Sequence, residues 1–217
     1  MDQLACSVGG TIAIDFENPK QPLIKKVDLD LVGAGYALCV VNTGGSHADL
    51  TADYAAIPQE MKSTAQFFGK SVLRELDKQT VIDSAAKVRK TLGDRAFLRA
   101  LHFFNENERV DAMITALEKK DIQTYLETVN ESGDSSWQLL QNVFSAHQPQ
   151  EQGIAAALAL TKNFFKKQGL RNSACRVHGG GFAGTIQAYL PFDMTDKYRS
   201  YMESIFVVNA VTLLQII

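Results

Sequence analysis

Four glycines within six residues make up the segment of this sequence best suited to chemistry. The segment is Gly179-Gly180-Gly181-Phe182-Ala183-Gly184, and it separates two apolar runs of strand length. Glycine is costly unless the backbone needs a positive φ or a close approach to another group. The loop therefore either brings backbone close to a ligand or closes a tight turn between strands, and composition leaves both interpretations open. A strand follows and no Lys-Ser/Thr pair is present, which excludes the dinucleotide fingerprint and the Walker loop.

A second candidate is the small polar stretch Asn42–Asp49, which follows the apolar run Tyr36–Val41 and leads into a helical pattern. Such loops at strand ends often face ligands, although the residue types alone favour a plain connection in which Asp49 caps the helix. Asp2 alone would be taken for a surface carboxylate. No metal site is predicted, because the histidines lack the spacing of metal ligands; they are His47, His102, His147 and His178.

Strand-like and helix-like stretches must position these segments. The sequence predicts an α+β fold, with an antiparallel sheet and helices packed on one face. The predicted strands are Thr11–Phe16, Leu23–Leu29, Tyr36–Val41, Ser173–Val177, Thr185–Leu190 and a strand within Val207–Ile217.

Several helix boundaries are predicted from local signals. Pro58 suits the first turn of a helix, and the spacing of Val81, Ala85 and Val88 places them on one face of a single helix. Ser135–Phe144 is predicted as a further helix, and Thr195 as the N-cap of a short one.

Composition limits the classes of function. The 217 residues are 46% hydrophobic and 21% charged, with a net charge of −2, so neither nucleic acid nor a membrane is an expected partner. The three cysteines are far apart, which favours a reducing, cytoplasmic location over a disulfide framework. The first residues lack the features of a signal peptide.

Five segments, taken together, resemble galactokinases, members of the GHMP superfamily of small-molecule kinases. They follow the order and approximate spacing of the family motifs, and the glycine segment carries the most specific of them. The segments are Met1-Asp2-Gln3, Ala52-Asp53-Tyr54, Arg99-Ala100-Leu101-His102 with Asn105–Arg109, Asn130-Glu131-Ser132, and Arg176–Gly184.

The resemblance implies the C-terminal part of a galactokinase. Residues 21–217 would form the C-terminal, ferredoxin-like GHMP domain, and residues 1–20 a remnant of the N-terminal domain. The family's G-L-S-S-S-A phosphate loop does not occur in these 217 residues. The isolated chain is therefore expected to be inactive, whereas the complete protein would use ATP and Mg²⁺ to phosphorylate the C1 hydroxyl of galactose.

The resemblance also implies roles for individual residues. Asp2 would be the catalytic base, and Tyr54 would hydrogen-bond a hydroxyl group of the sugar. The glycine-rich loop would lie against the active site through Gly179, Gly180, Gly181 and Gly184.

Departures from the family pattern keep other functions open. His178 stands where Thr is usual, Ala183 where Gly is usual, and Ser145–Pro149 where the family has Cys-Pro-Glu-Leu. The alternatives are a non-catalytic regulator that binds sugar and nucleotide, a kinase for another hexose such as N-acetylgalactosamine, and a free-standing interaction domain.

The resemblance implies the missing N-terminal half as a partner, and its absence would expose apolar residues that packed against it. Exposure of Leu4, Val8 and Ile12 would allow self-association, and a clean monomer in light scattering would contradict this expectation.

Overall fold

The computed structural model describes residues 7–45 and 50–214. Asp2, Leu4, His47 and Asp49 therefore lie outside the described residues, and so does Cys6. The strands are β1 (Thr11–Asp15), β2 (Leu23–Val27), β3 (Tyr36–Asn42), β4 (Ala174–His178), β5 (Thr185–Pro191) and β6 (Val211–Leu214). The helices are α1 (Thr51–Phe67), α2 (Lys78–Asp83), α3 (Ala85–Leu92), α4 (Asp94–Glu118), α5 (Ile122–Ser135), α6 (Gly153–Gln168) and α7 (Thr195–Glu203).

Four strands form one antiparallel sheet in the order β4-β5-β3-β6. Successive side chains of a strand point to opposite faces, so Cys39, Ala188 and Cys175, which are aligned across β3, β5 and β4, share one face. This face is buried in the largest core cluster together with Ile154 of α6 and Met202 of α7. The α+β class and the antiparallel sheet are confirmed.

The other face of the sheet contacts helices from the middle of the chain, so the expectation that helices pack on one face only is wrong. Leu38, Tyr189 and Ala174 alternate with the first set and pack in a second cluster with residues of α4 and α5. The helix α5 also covers the edge strand β4. The Asn130 amide donates to the carbonyl oxygen of Ser173 (3.0 Å) and accepts from the backbone N–H of Cys175 (3.1 Å). These bonds satisfy backbone groups that an edge strand would otherwise expose.

The strands β1 and β2 form a separate two-stranded sheet that spans the boundary predicted after residue 20. Ion pairs hold this hairpin to the helical part, among them Asp15 with Arg74 (2.6 Å) and Lys25 with Glu118 (2.5 Å). A groove of about 550 Å³ lies between the hairpin and α4. Leu23 is 67% exposed on the outer strand. The division into domains stays a prediction.

Two of the predicted helices have different boundaries. Val81 and Val88 lie on separate helices, because Ser84 leaves the helical backbone (φ −94°, ψ 7°) between α2 and α3. Ser135–Phe144 is not an independent helix: α5 continues into a π-helical turn over Ser136–Leu140, which ends where Gln141 turns left-handed (φ 58°). The spacing of apolar residues does not show a helix end that depends on the backbone conformation of a single residue.

Two residues predicted to mark the beginnings of helices lie at other positions in the structure. Pro58 lies inside α1 rather than in its first turn. Thr195 is the first helical residue of α7, and its hydroxyl donates to the carbonyl oxygen of Phe192 (2.8 Å) instead of accepting from a helix N–H. A short 3₁₀ turn (Phe192–Met194) occupies the place where an N-cap was expected.

The described cysteines have packing roles. Cys39 and Cys175 are free thiols buried in the sheet core. Burial raises the pKa of Cys39 to about 11 and that of Cys175 to about 12, so both remain protonated thiols.

Among the helices in residues 7–45 and 50–214, none has the length and apolar character needed to cross a membrane.

Candidate functional site

The glycine segment is the tip of the hairpin between β4 and β5. Gly179, Gly181 and Gly184 have φ values of 72°, 84° and 101°, and Phe182 also lies at a positive φ (61°). These conformations are costly for residues with a Cβ. Part of the glycine content is therefore required by the turn itself, whether or not a ligand binds there.

Tyr54 lies against this hairpin. Its hydroxyl donates to the carbonyl oxygen of Gly181 (2.8 Å), and its ring meets Phe182 edge to face at a centroid distance of 5.2 Å. A Cβ on Gly180 would come within 2.8 Å of the Tyr54 ring. Burial raises the pKa of Tyr54, so the phenol keeps its proton and can donate it. Since a phenol has one donor, a sugar hydroxyl at Tyr54 would have to donate to the phenol oxygen.

Asn142 holds the hairpin through the backbone and the side chain. Its carbonyl oxygen accepts the Phe182 N–H (2.5 Å), and its side-chain amide donates to the carbonyl oxygen of Gly180 (3.1 Å). A Cβ on Gly181 would come within 2.1 Å of the Asn142 carbonyl oxygen. Asn142 was not predicted as a site residue, because it lies in a stretch predicted to be helical.

The loop after β3 also reaches the hairpin. The backbone N–H and the hydroxyl of Thr43 both donate to the carbonyl oxygen of Gly184, at 2.9 and 2.8 Å. A cavity of about 550 Å³ opens beside this contact, within the size range of small-ligand sites. Its described lining combines an apolar part, Leu50, Ile154 and Phe182, with polar groups that include Thr43, Ser145, Gln148 and Glu151. No Lys or Arg is among these described lining residues.

A buried carboxylate joins α1 to the segment beside the cavity. Asp53, which is 5% exposed, accepts a hydrogen bond from the Ser145 hydroxyl at 2.6 Å. The Ser145 oxygen in turn accepts from the backbone N–H of His147 (3.2 Å). Ser145 lies where the family has Cys-Pro-Glu-Leu, so this departure forms part of the site wall.

Other residues of the five family-like segments form a polar stripe that runs from α4 to α5 and β4. The buried His102 contacts the Ser135 hydroxyl (2.9 Å), and Glu106 accepts from the Ser132 hydroxyl (2.6 Å). Arg176 of β4 donates to the same Ser132 oxygen (2.6 Å). These contacts tie α4 and α5 to the strand that leads into the glycine hairpin, which gives the stripe a structural role.

The structure thus brings together Tyr54 and the predicted glycines, while Asp2 lies outside the described residues. Among residues 7–45 and 50–214, no group of three or more His, Cys, Asp or Glu side chains is arranged to hold a metal ion. We therefore assign no protein ligand for Mg²⁺ and derive no step through it.

No family model matches the chain. It is 29% identical over 205 residues to the galactokinase of Glaesserella parasuis serovar 5 (strain SH0165), covering 92% of this chain and 48% of that protein. It is 27% identical over 205 residues to the galactokinase of Actinobacillus pleuropneumoniae, with the same coverage of both proteins. The chain therefore spans about half the length of these curated relatives.

Solved structures show the same partial likeness. The galactokinase of Lactococcus lactis complexed with galactose superposes with a TM-score of 0.67 at 18% identity, over 95% of this chain and 50% of that one. The mevalonate kinase of L. major in complex with R-mevalonate gives a TM-score of 0.58 at 17% identity, over 94% and 48%. The fold therefore matches about half of each of these two kinase chains. By these comparisons the chain is similar to galactokinases over about half of their length.

Proposed function

We propose that this chain is the C-terminal part of a galactokinase, which transfers the γ-phosphoryl group of ATP to the C1 hydroxyl of galactose. The observation that carries the proposal is the seating of Tyr54 on the glycine hairpin, through its 2.8 Å bond to Gly181. Two segments far apart in sequence, each carrying a family motif, meet there at one surface. The similarity to galactokinases supports the choice of sugar.

In this proposal Asp2 accepts the proton of the sugar hydroxyl that attacks phosphorus. Tyr54 orients the sugar by accepting a hydrogen bond from another hydroxyl. The hairpin excludes water from one side of the sugar. Gly179 and Gly180 present backbone alone at the exposed tip, so a ligand can approach closely.

The phosphate groups require a different surface. Phosphoryl transfer depends on cations that neutralise the phosphate oxygens, and Mg²⁺ bound to the nucleotide supplies part of that charge. The described lining of the cavity beside the hairpin includes Glu151 but no Lys or Arg. We propose that this side receives the neutral sugar, and that the N-terminal half of the complete protein holds ATP.

The surface proposed to meet that half is the β1–β2 hairpin. Leu23, Ile24 and Phe16 are exposed there, whereas Val8 and Ile12, named as candidates from the sequence, are half-buried. Self-association of the isolated chain would use the same apolar residues. A cytoplasmic location stays a prediction.

Sugar binding and turnover can be tested separately on the 217-residue chain. We expect galactose, added at millimolar concentration, to shift the amide NMR signals of residues 179–184. Glucose, which differs only in the orientation of the C4 hydroxyl, should shift them less. In a coupled assay with ATP and Mg²⁺ we expect no galactose-dependent release of ADP, and a full-length galactokinase serves as the positive control.

Each outcome has a distinct meaning. Turnover by the chain would contradict its inactivity as a fragment. Signals that shift elsewhere but not in the hairpin would contradict the proposed sugar site. A response to N-acetylgalactosamine without one to galactose would favour a kinase for another hexose.

A further inference from the structure

The buried guanidinium of Arg99 lies between the two groups that hold the glycine hairpin. Arg99 is 1% exposed and belongs to α4. Its Nη1 donates to Glu60 Oε2 (2.9 Å), and its Nε donates to the carbonyl oxygen of Leu140 (3.1 Å). A buried charge is tolerated only where it is paired and hydrogen-bonded, so these two partners fix the position of the side chain.

Each partner leads to one side of the hairpin. Glu60 lies on α1, the helix that carries Tyr54, and Tyr54 bonds Gly181. Leu140 is the last residue of the π turn and precedes Gln141 and Asn142. Asn142 then bonds Phe182 and Gly180. One side chain thereby joins the helix that bears Tyr54 to the segment that bears Asn142.

The chemistry of the contact requires arginine. The last carbonyl groups of a helix have no intrahelical donor, and a positive charge at that end is favourable. The planar guanidinium can donate to the Leu140 carbonyl and to a carboxylate at the same time in a fixed geometry. The compact ammonium group of lysine cannot reproduce this fork.

We propose that Arg99 is a positioning residue that sets the glycine hairpin between Tyr54 and Asn142. Its function is to keep the two supports of the hairpin at a fixed separation. A consequence for sugar binding rests on the proposed function, whereas the position of the hairpin does not. The two can therefore fail independently.

Hydrogen exchange of backbone amides on the 217-residue chain tests the proposal. Arg99→Lys keeps the charge but cannot bridge both partners. We expect the Phe182 amide, which is bonded to Asn142, to exchange at least about tenfold faster relative to amides of β3 and β5, because losing one bond of the buried guanidinium releases one of the two supports of the hairpin. Glu60→Gln, which weakens the α1 side only, should have a smaller effect in the same direction.

Arg95→Met is the matched control. Arg95 also pairs with Glu60 (2.5 Å), but its side chain is exposed, and among the described residues its guanidinium donates hydrogen bonds to Glu60 and to no helix carbonyl group. We expect the ratio of hairpin exchange to sheet exchange to stay unchanged in this variant. If Arg99→Lys accelerates hairpin and sheet amides equally, or leaves the hairpin unchanged, the positioning role is refuted.

Discussion

Replacing Gly181 with alanine is expected to lower the free energy of unfolding by about 3 kcal/mol. Two costs add in this variant. The backbone has a φ of 84°, a conformation that costs a residue with a Cβ about 1–2 kcal/mol. The new methyl group would also lie 2.1 Å from the Asn142 carbonyl oxygen, and relieving such a clash costs about 1–3 kcal/mol.

Gly179 provides the matched control for this substitution. Its φ of 72° is similar, but no described atom lies within 4 Å of a Cβ built there. Gly179→Ala should therefore cost only about 1 kcal/mol. Urea unfolding of both variants gives the comparison. Equal losses of stability would mean that Asn142 does not enclose the hairpin as described.

The second large effect concerns His102 and pH. Burial lowers the pKa of His102 to about 4, and the neighbouring Arg109 and Arg176 act in the same direction, whereas Glu106 opposes them. At neutral pH His102 is therefore neutral in the folded state. In the unfolded chain its pKa is near 6.5. The unfolded chain binds the proton more readily, so stability is fully present above about pH 6.5 and is lost as the pH falls toward 4. The loss amounts to about 3 kcal/mol.

Comparison of variants isolates this contribution from the carboxylates that titrate in the same range. The unfolding free energy of the wild-type chain and of His102→Gln should be measured in urea between pH 4.5 and pH 7.5. We expect the wild type to lose more stability than the variant over this range. His178→Gln, at an exposed site, should follow the wild type. Parallel pH profiles for all three proteins would show that His102 is not a buried neutral residue.

Local sequence signals predicted part of the fold well. The glycines of residues 179–184 end two apolar runs, and those runs became β4 and β5, because both the turn and the flanking strands are local features. The placement of β5 between β4 and β3 is not local. It depends on pairings between residues more than a hundred positions apart, such as Cys39 with Ala188.

The site was predictable only in part for the same reason. Tyr54 was selected through family resemblance, since a tyrosine in the first turns of a helix has no special spacing of its own. The contacts of Asn142 with the hairpin and of Arg99 with Leu140 are made to backbone groups, which residues of every type carry. Their roles depend on segments distant in sequence, at Leu140 and Phe182, that the fold brings next to them. The pattern of residue types does not show this proximity.

The central claim is that Asp2 and the glycine hairpin line one pocket, and a distance between them tests it most directly. Nitroxide labels can be placed at Asp2→Cys and His178→Cys in a Cys6→Ser background, because Cys39 and Cys175 are buried. A chain of this size has a radius of gyration of about 17 Å, so labels on opposite sides would lie beyond about 30 Å. We expect dipolar EPR to give a separation below about 20 Å. A distance beyond about 30 Å would contradict the proposed sugar kinase site.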